Sequence, residues 1–163
     1  MQHKGETMKK TVTSVLLLGL MALTAEETSG IPIKQEMLLG KTFYHVEKNA
    51  NNTTIYRKFV FKNEHNDLKV GMHFMVLKPN GAVAKEGRPK LSGTLSKTGK
   101  LKIDITPVLP KGKTGYFYFT LDKKDDHAWH LTKEVDMKQD GTIDSVFHPV
   151  WHTSRPEKAP ESL

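Results

Sequence analysis

The sequence contains no cysteine. Disulfides, thiolate metal sites and cysteine nucleophiles are therefore excluded, as is a lipid anchor on an N-terminal cysteine. Gly-x-Ser-x-Gly, His-Glu-x-x-His, a phosphate-binding loop and a dinucleotide fingerprint are all missing. The patterned routes to hydrolase, zinc-protease and nucleotide chemistry go with them, and a non-enzymatic protein is expected. Long apolar runs are missing too. The stretch from Val12 to Leu23 falls short of the roughly 20 residues of a membrane-spanning helix. After residue 40 no segment shows a 3.6-residue period, which argues against a helical domain.

What is present is a chain of 163 residues with 37% apolar and 26% charged residues, enough for one globular domain. Met8-Lys9-Lys10 is a short positive start. The apolar stretch Val12–Leu23 follows, then the small residues Thr24 and Ala25, then Glu26-Glu27. That order is the pattern of a cleavable export signal. Residues 1–25 are therefore read as upstream residues plus signal peptide, with cleavage after Ala25. Residues 26–152 are read as one domain and 153–163, with Pro156 and Pro160, as a disordered tail. Export without cysteine points to a bacterial periplasm or exterior.

From Lys41 onward the apolar period is two, punctuated by turn residues. Eight strands are expected: Lys41–Glu47, Thr54–Lys62, Leu68–Leu77, Lys90–Ser96 (with Val83–Lys85 as partner or extension), Leu101–Ile105, Gly115–Leu121, His127–Met137 and Thr142–Val150. Short connections between them imply an antiparallel meander. Closing the sheet removes its edges, and eight strands enclose a filled core or one small ligand. The expected fold class is all-β, an eight-stranded meander closing into a barrel, with a β-sandwich as the alternative.

Leu38-Leu39-Gly40-Lys41-Thr42-Phe43-Tyr44, a short helical turn leading into glycine and aromatics ahead of the meander, resembles the opening of the calycin (lipocalin-like) barrels. The resemblance covers residues 34–151. It implies a barrel that holds a small apolar ligand, or a closed one that serves as scaffold. In a hollow barrel the inward aromatics Phe59, Phe61, Phe74, Phe119 and Trp129 would line the cavity; in a filled one they form the core.

Seven histidines follow Ala25. A three-residue loop Gln139-Asp140-Gly141 places Lys138 opposite Thr142. One face of the last hairpin then gathers Trp129, Leu131, Val135, Met137, Ile143, Phe147, Pro149 and Trp151, with Lys133 as the exception. The other face puts His130 diagonal to His148 and His152, at about 7–8 Å, with Glu134 nearby. Three imidazoles and an open position suit Zn²⁺, and some calycin-like periplasmic proteins bind zinc through histidines. No cofactor is required by any other feature. Surface histidines are the plainer reading. Asp136-x-Lys138-x-Asp140-Gly141-x-x-Asp144 departs from a calcium loop at Lys138 and Phe147 and reads as a hairpin turn.

The net charge is +7 with His neutral. The lysines are scattered, and export opposes a nucleic-acid partner. Attraction to an anionic lipid or polysaccharide of the cell envelope is the functional reading of that charge. The remaining partners expected are a small apolar molecule or a metal ion, with the protein a monomer or weak dimer.

Overall fold

The computed structural model describes residues 30–163. The expected signal segment lies outside the described residues. A short turn of helix, α1 (Gln35–Leu38), precedes ten strand segments: β1 (Thr42–Lys48), β2 (Thr54–Glu64), β3 (Asp67–Leu77), β4 (Val83–Gly87), β5 (Lys90–Leu95), β6 (Leu101–Asp104), β7 (Tyr116–Lys124), β8 (Ala128–Asp136), β9 (Ser145–Phe147) and β10 (Val150–His152). Each pairs antiparallel with its neighbours, and β10 pairs with both β1 and β8. The sheet therefore closes on itself as an eight-stranded barrel. The sandwich alternative is excluded.

Ten segments make eight staves because proline interrupts two of them. β4 and β5 both pair with β3 and are separated at Arg88-Pro89. β9 and β10 both pair with β8 and are separated at His148-Pro149. Proline cannot donate to a ladder but still accepts: the N–H groups of Met72 and Leu131 reach the carbonyls of Pro89 and Pro149 at 3.1 and 3.0 Å. The strands bend there without losing the sheet. The β2–β3 hairpin turns through His65 and Asn66, with φ of 53° and 67°. These are the paired positive angles of the tight turn whose twist matches the flanking strands.

The core is aromatic. The Trp151 ring stacks on Phe59 at 4.9 Å and lies 4.8 Å from Phe119, 5.5 Å from Phe43 and 6.0 Å from Phe61. Trp129 packs on Phe43 at 4.6 Å. The segment before β1 plugs one end of the barrel. Ile33 and Leu38 are buried, Ile31 bridges to Leu121 and Leu39 to Phe61. Gly99 permits this plug. Its φ is +80°, and a Cβ there would sit 2.5 Å from Pro32 Cα.

The last hairpin keeps the expected register, with Lys133 opposite Phe147 and Trp129 opposite Trp151. Its loop is different. The ladder stops at Val135–Ser145, so the tight turn with Lys138 opposite Thr142 does not form. Asp136 is the cause: its fully buried carboxylate accepts the N–H groups of Lys138, Asp140 and Gly141 at 3.1, 3.3 and 2.9 Å. Burial alone would raise this carboxyl; the backbone donors outweigh it and hold the group below the usual carboxylate range. Met137 and Ile143, expected on the core face, are exposed as a result of the wider loop. Phe147, also expected there, keeps its pairing with Lys133 yet is exposed, with the Lys133 ammonium over its ring.

Residues 153–163, expected to be a disordered tail, form turns rather than strand or helix. Leu163 is nevertheless buried outside the barrel against Tyr56 and Met75. Lys58 Nζ donates to its carbonyl oxygen at 2.6 Å.

Two substitutions test this account. Trp151→Ala removes the ring shared by four aromatic neighbours and is expected to destabilise by about 3–5 kcal/mol in urea unfolding. Gly99→Ala meets both a positive φ and the Pro32 backbone, and is expected to lower the unfolding midpoint far more than Gly112→Ala, where the φ is also positive but a Cβ meets nothing within 4 Å.

Candidate functional site

Alternation along β2 sends Arg57, Phe59 and Phe61 inward and Lys58, Val60 and Lys62 outward. The outward residues of β3 are Lys69, Gly71 and His73. The register sets Lys58 opposite His73, Val60 opposite Gly71 and Lys62 opposite Lys69. On the other side of β3, Gly71 faces Lys90 and Lys69 faces Ser92. Together with Arg88 at the β4–β5 bend these residues form an external groove of about 610 Å³. Its basic side chains are Lys58, Lys62, Lys69, Arg88 and Lys90; its single carboxylate is Glu64.

Two features of the groove work against stability. Like charges directly opposite each other destabilise a strand pair, and Lys62 faces Lys69. Asp67 relieves Lys69 in part, at 3.4 Å. Glycine inside a strand weakens it and often marks close approach of another molecule. At Gly71 a Cβ would meet only the Val60 carbonyl oxygen, at 3.7 Å. The protein itself does not need that space, so the glycine leaves the floor of the groove open.

The groove wall is held by His73, whose Nε2 lies 2.7 Å from Glu86 Oε1. The His73 hydrogen bond keeps the Glu86 carboxyl below its ordinary range, and Arg88, 3.4 Å away, adds to this. The chain end borders the groove, since Lys58 bonds Leu163 as above and Arg88 Nη2 reaches the Ser162 carbonyl at 3.5 Å.

A second charged group lies inside, at the barrel end opposite the plug. His45 and Arg57 face each other across β1 and β2, and Lys133 points in from β8. Arg57 Nη1 donates to Glu47 Oε2 at 2.8 Å. His45 Nδ1 donates to the Val150 carbonyl at 3.0 Å. Burial lowers the His45 pKa, opposed by that hydrogen bond and reinforced by Arg57. Burial also lowers the Lys133 amine, followed by Arg57, with Glu47 opposing. Burial would raise Glu47, but the Arg57 hydrogen bond and charge hold it below the usual range. The void that His45, Arg57 and Lys133 share with Phe59, Phe119 and Trp151 is about 20 Å³.

The expected cavity-lining aromatics are placed as core. Phe59, Phe61, Phe119 and Trp129 are buried in one cluster around Trp151. Twenty cubic ångströms is room for one water, against about 300–1,000 Å³ for a ligand pocket. Phe74 stands apart from this cluster, half-buried beside Gly87 with Lys85 Nζ 5.7 Å above its ring.

The expected metal ligands share the outer face of the last hairpin but are engaged separately. Glu134 pairs with Lys100, His148 Nδ1 lies 3.3 Å from Thr132 Oγ1, and His130 and His152 are exposed. Among the described residues no group of three or more His, Asp or Glu side chains is arranged to hold a metal ion.

Sequence reading passed over the groove and the mouth. The signal for the mouth is a cation on an otherwise apolar strand face, seen twice, at Arg57 and at Lys133. The groove needs the register of β3 against β2 and β5, which the strand pattern alone does not contain.

No protein-family model and no curated protein matches the chain. The class defined by the fold is the closed antiparallel β-barrel. A solved structure described as EF1p2_mFAP2b bound to DFHBI aligns at 16% identity over 74% of this chain and 96% of that one, with a TM-score of 0.44. That likeness is too distant to transfer a site.

The mouth makes stability depend on pH. The folded chain keeps His45 neutral where the unfolded chain, titrating near 6.5, has bound a proton. The unfolded state then holds more protons, so stability falls as pH drops below 6.5 toward the lower folded value. His45→Gln can still donate to Val150 and does not titrate. Urea midpoints between about pH 7.5 and 5.5 are expected to fall less steeply in this variant; an equal slope rejects the assignment.

Proposed function

We propose that this is an exported, non-enzymatic binding protein in which the filled barrel is a scaffold and the basic outer groove is the working surface. Its partner is an anionic component of the cell envelope with an apolar portion. The observation that carries this reading is the Lys62–Lys69 opposition beside the open floor at Gly71. The repulsion weakens the isolated protein and is offset when an anion lies across the groove, and the open floor at Gly71 leaves room for that anion. The groove volume falls within the range of ligand sites, and Val60 and Pro89 supply apolar contact. The interior void of about 20 Å³ favours a scaffold over a carrier with a ligand inside the barrel. The positive start, apolar centre and small-residue exit of residues 8–25 support export.

Vesicles of phosphatidylcholine with and without phosphatidylglycerol test the groove. Binding is expected only with the anionic lipid and is expected to weaken with added salt. Each Lys or Arg near such a surface contributes about 1 kcal/mol, so Lys62→Gln with Lys90→Gln should weaken binding roughly 30-fold. Gly71→Leu, which fills the floor without altering charge, should weaken it as well. Equal losses from Lys111→Gln with Lys113→Gln, which lie outside the groove, reject the groove and leave only general charge. Mature protein recovered after export is expected to begin at Glu26.

A further inference from the structure

We propose that the open mouth of the barrel is a separate binding site for one small monovalent anion, of the size of a halide or a carboxylate group, held between Arg57 and Lys133. The site is built from three inward side chains on three strands, His45 on β1, Arg57 on β2 and Lys133 on β8, with Glu47 on β1 outside the void and bound to Arg57. The neighbouring strands contribute only apolar groups to it, Phe117 and Phe119 from β7, Pro149 ahead of β10 and Trp151 on β10, with Phe147 on β9 facing Lys133.

The charges do not balance. Arg57 and Lys133 bring two cations and Glu47 one carboxylate. Arg57 takes that carboxylate at 2.8 Å. His45 offers no compensating charge, because its Nδ1–H is committed to Val150 and its Nε2 lies 4.0 Å from Glu47. Among the described residues Lys133 Nζ forms neither a hydrogen bond nor an ion pair. It rests instead over Phe117 at 4.7 Å and Phe147 at 4.5 Å. Ring faces offset part of a cation's lost hydration but leave its charge unneutralised. The stem of Lys133 is half-buried on those rings while its ammonium reaches water at the mouth, so the cation is held in place with no fixed counter-charge beside it.

Size and charge narrow the ligand. A void of about 20 Å³ accepts one water-sized group, which at an open mouth is a halide or one oxygen of a carboxylate. One negative charge brings Arg57, Lys133 and Glu47 to neutrality. Sulfate brings a second charge, which would overshoot. The depressed Lys133 and His45 pKa values described above have the same origin, too much positive charge in too little water. An anion seated there would therefore raise both, and binding would be accompanied by proton uptake.

The test follows Lys133 and His45 side chains by NMR while chloride or formate replaces sulfate at constant ionic strength. A saturable rise of about 0.5 unit or more in the Lys133 pKa supports the site. Saturation by chloride identifies a halide-sized site. Saturation by formate without chloride identifies a carboxylate site able to take the head group of a longer molecule reaching out of the mouth. Lys133→Met keeps the contact with the rings, and its His45 response to anion is expected to vanish; Lys133→Gln serves if the methionine variant does not fold. Absence of a saturable response to either anion overturns the proposal, as does a His45 response unchanged in the folded variant.

Discussion

The packing of Trp151 holds both the closure and the core of this barrel. β10 is only three residues long, yet it is the strand that pairs with β1 on one side and β8 on the other. Three residues of ladder are a weak seam. What secures it is the indole at its centre, 1% exposed and in contact with rings from β1, β2 and β7. Burying an aromatic of this size contributes several kcal/mol, more than the few hydrogen bonds of so short a strand. The seam is closed from inside, by packing, and Pro149 limits how much the backbone can add.

A barrel closed in that way has little interior left over. Phe43, Phe59, Phe61, Phe119, Trp129 and Trp151 occupy the central volume, and the plug of Ile33 and Leu38 fills one end. Polar inward residues are confined to the other end, where His45, Arg57 and Lys133 reach solvent while their stems remain on apolar neighbours. The core therefore determines where charge can sit as well as what holds the fold together. Chemistry is left with the mouth and the outside of the sheet.

Most of the architecture is legible in the sequence, because a period of two is a direct statement about which face a residue occupies. β3, with Leu68 and Val70 against Lys69 and Gly71, reads without ambiguity. The register of the last hairpin is less direct, since a two-residue loop at Asp140-Gly141 would shift it and the turn through Gln139-Asp140-Gly141 does not form; the pairing follows from packing Trp129 and Trp151 in the same core. Alternation cannot report side chains that reorganise backbone. Asp136 lies on the outward parity, where a carboxylate looks like surface; instead it gathers three N–H groups, widens the loop and exposes Met137 and Ile143. Nor does alternation give the register between neighbouring strands of the meander. Lys62 and Lys69 are ordinary surface lysines until β2 and β3 are paired, and Lys90 joins them only because β5 follows the bend at Pro89.

Both charged sites depend on one register. On β2 the odd positions carry Arg57 to the mouth and the even positions carry Lys58 and Lys62 to the groove. The two-residue turn at His65-Asn66 sets how β2 meets β3, and its positive φ angles leave little freedom to shift. A slip of one residue would send every side chain to the opposite face. Arg57 would leave Glu47, Phe59 and Phe61 would enter water, and Lys58 and Lys62 would be driven into an aromatic core with no carboxylate to meet them. The penalty for burying those lysines, added to the lost aromatic burial, is far larger than the repulsion between Lys62 and Lys69 on the correct face. The fold can carry that repulsion because the alternative is so much worse.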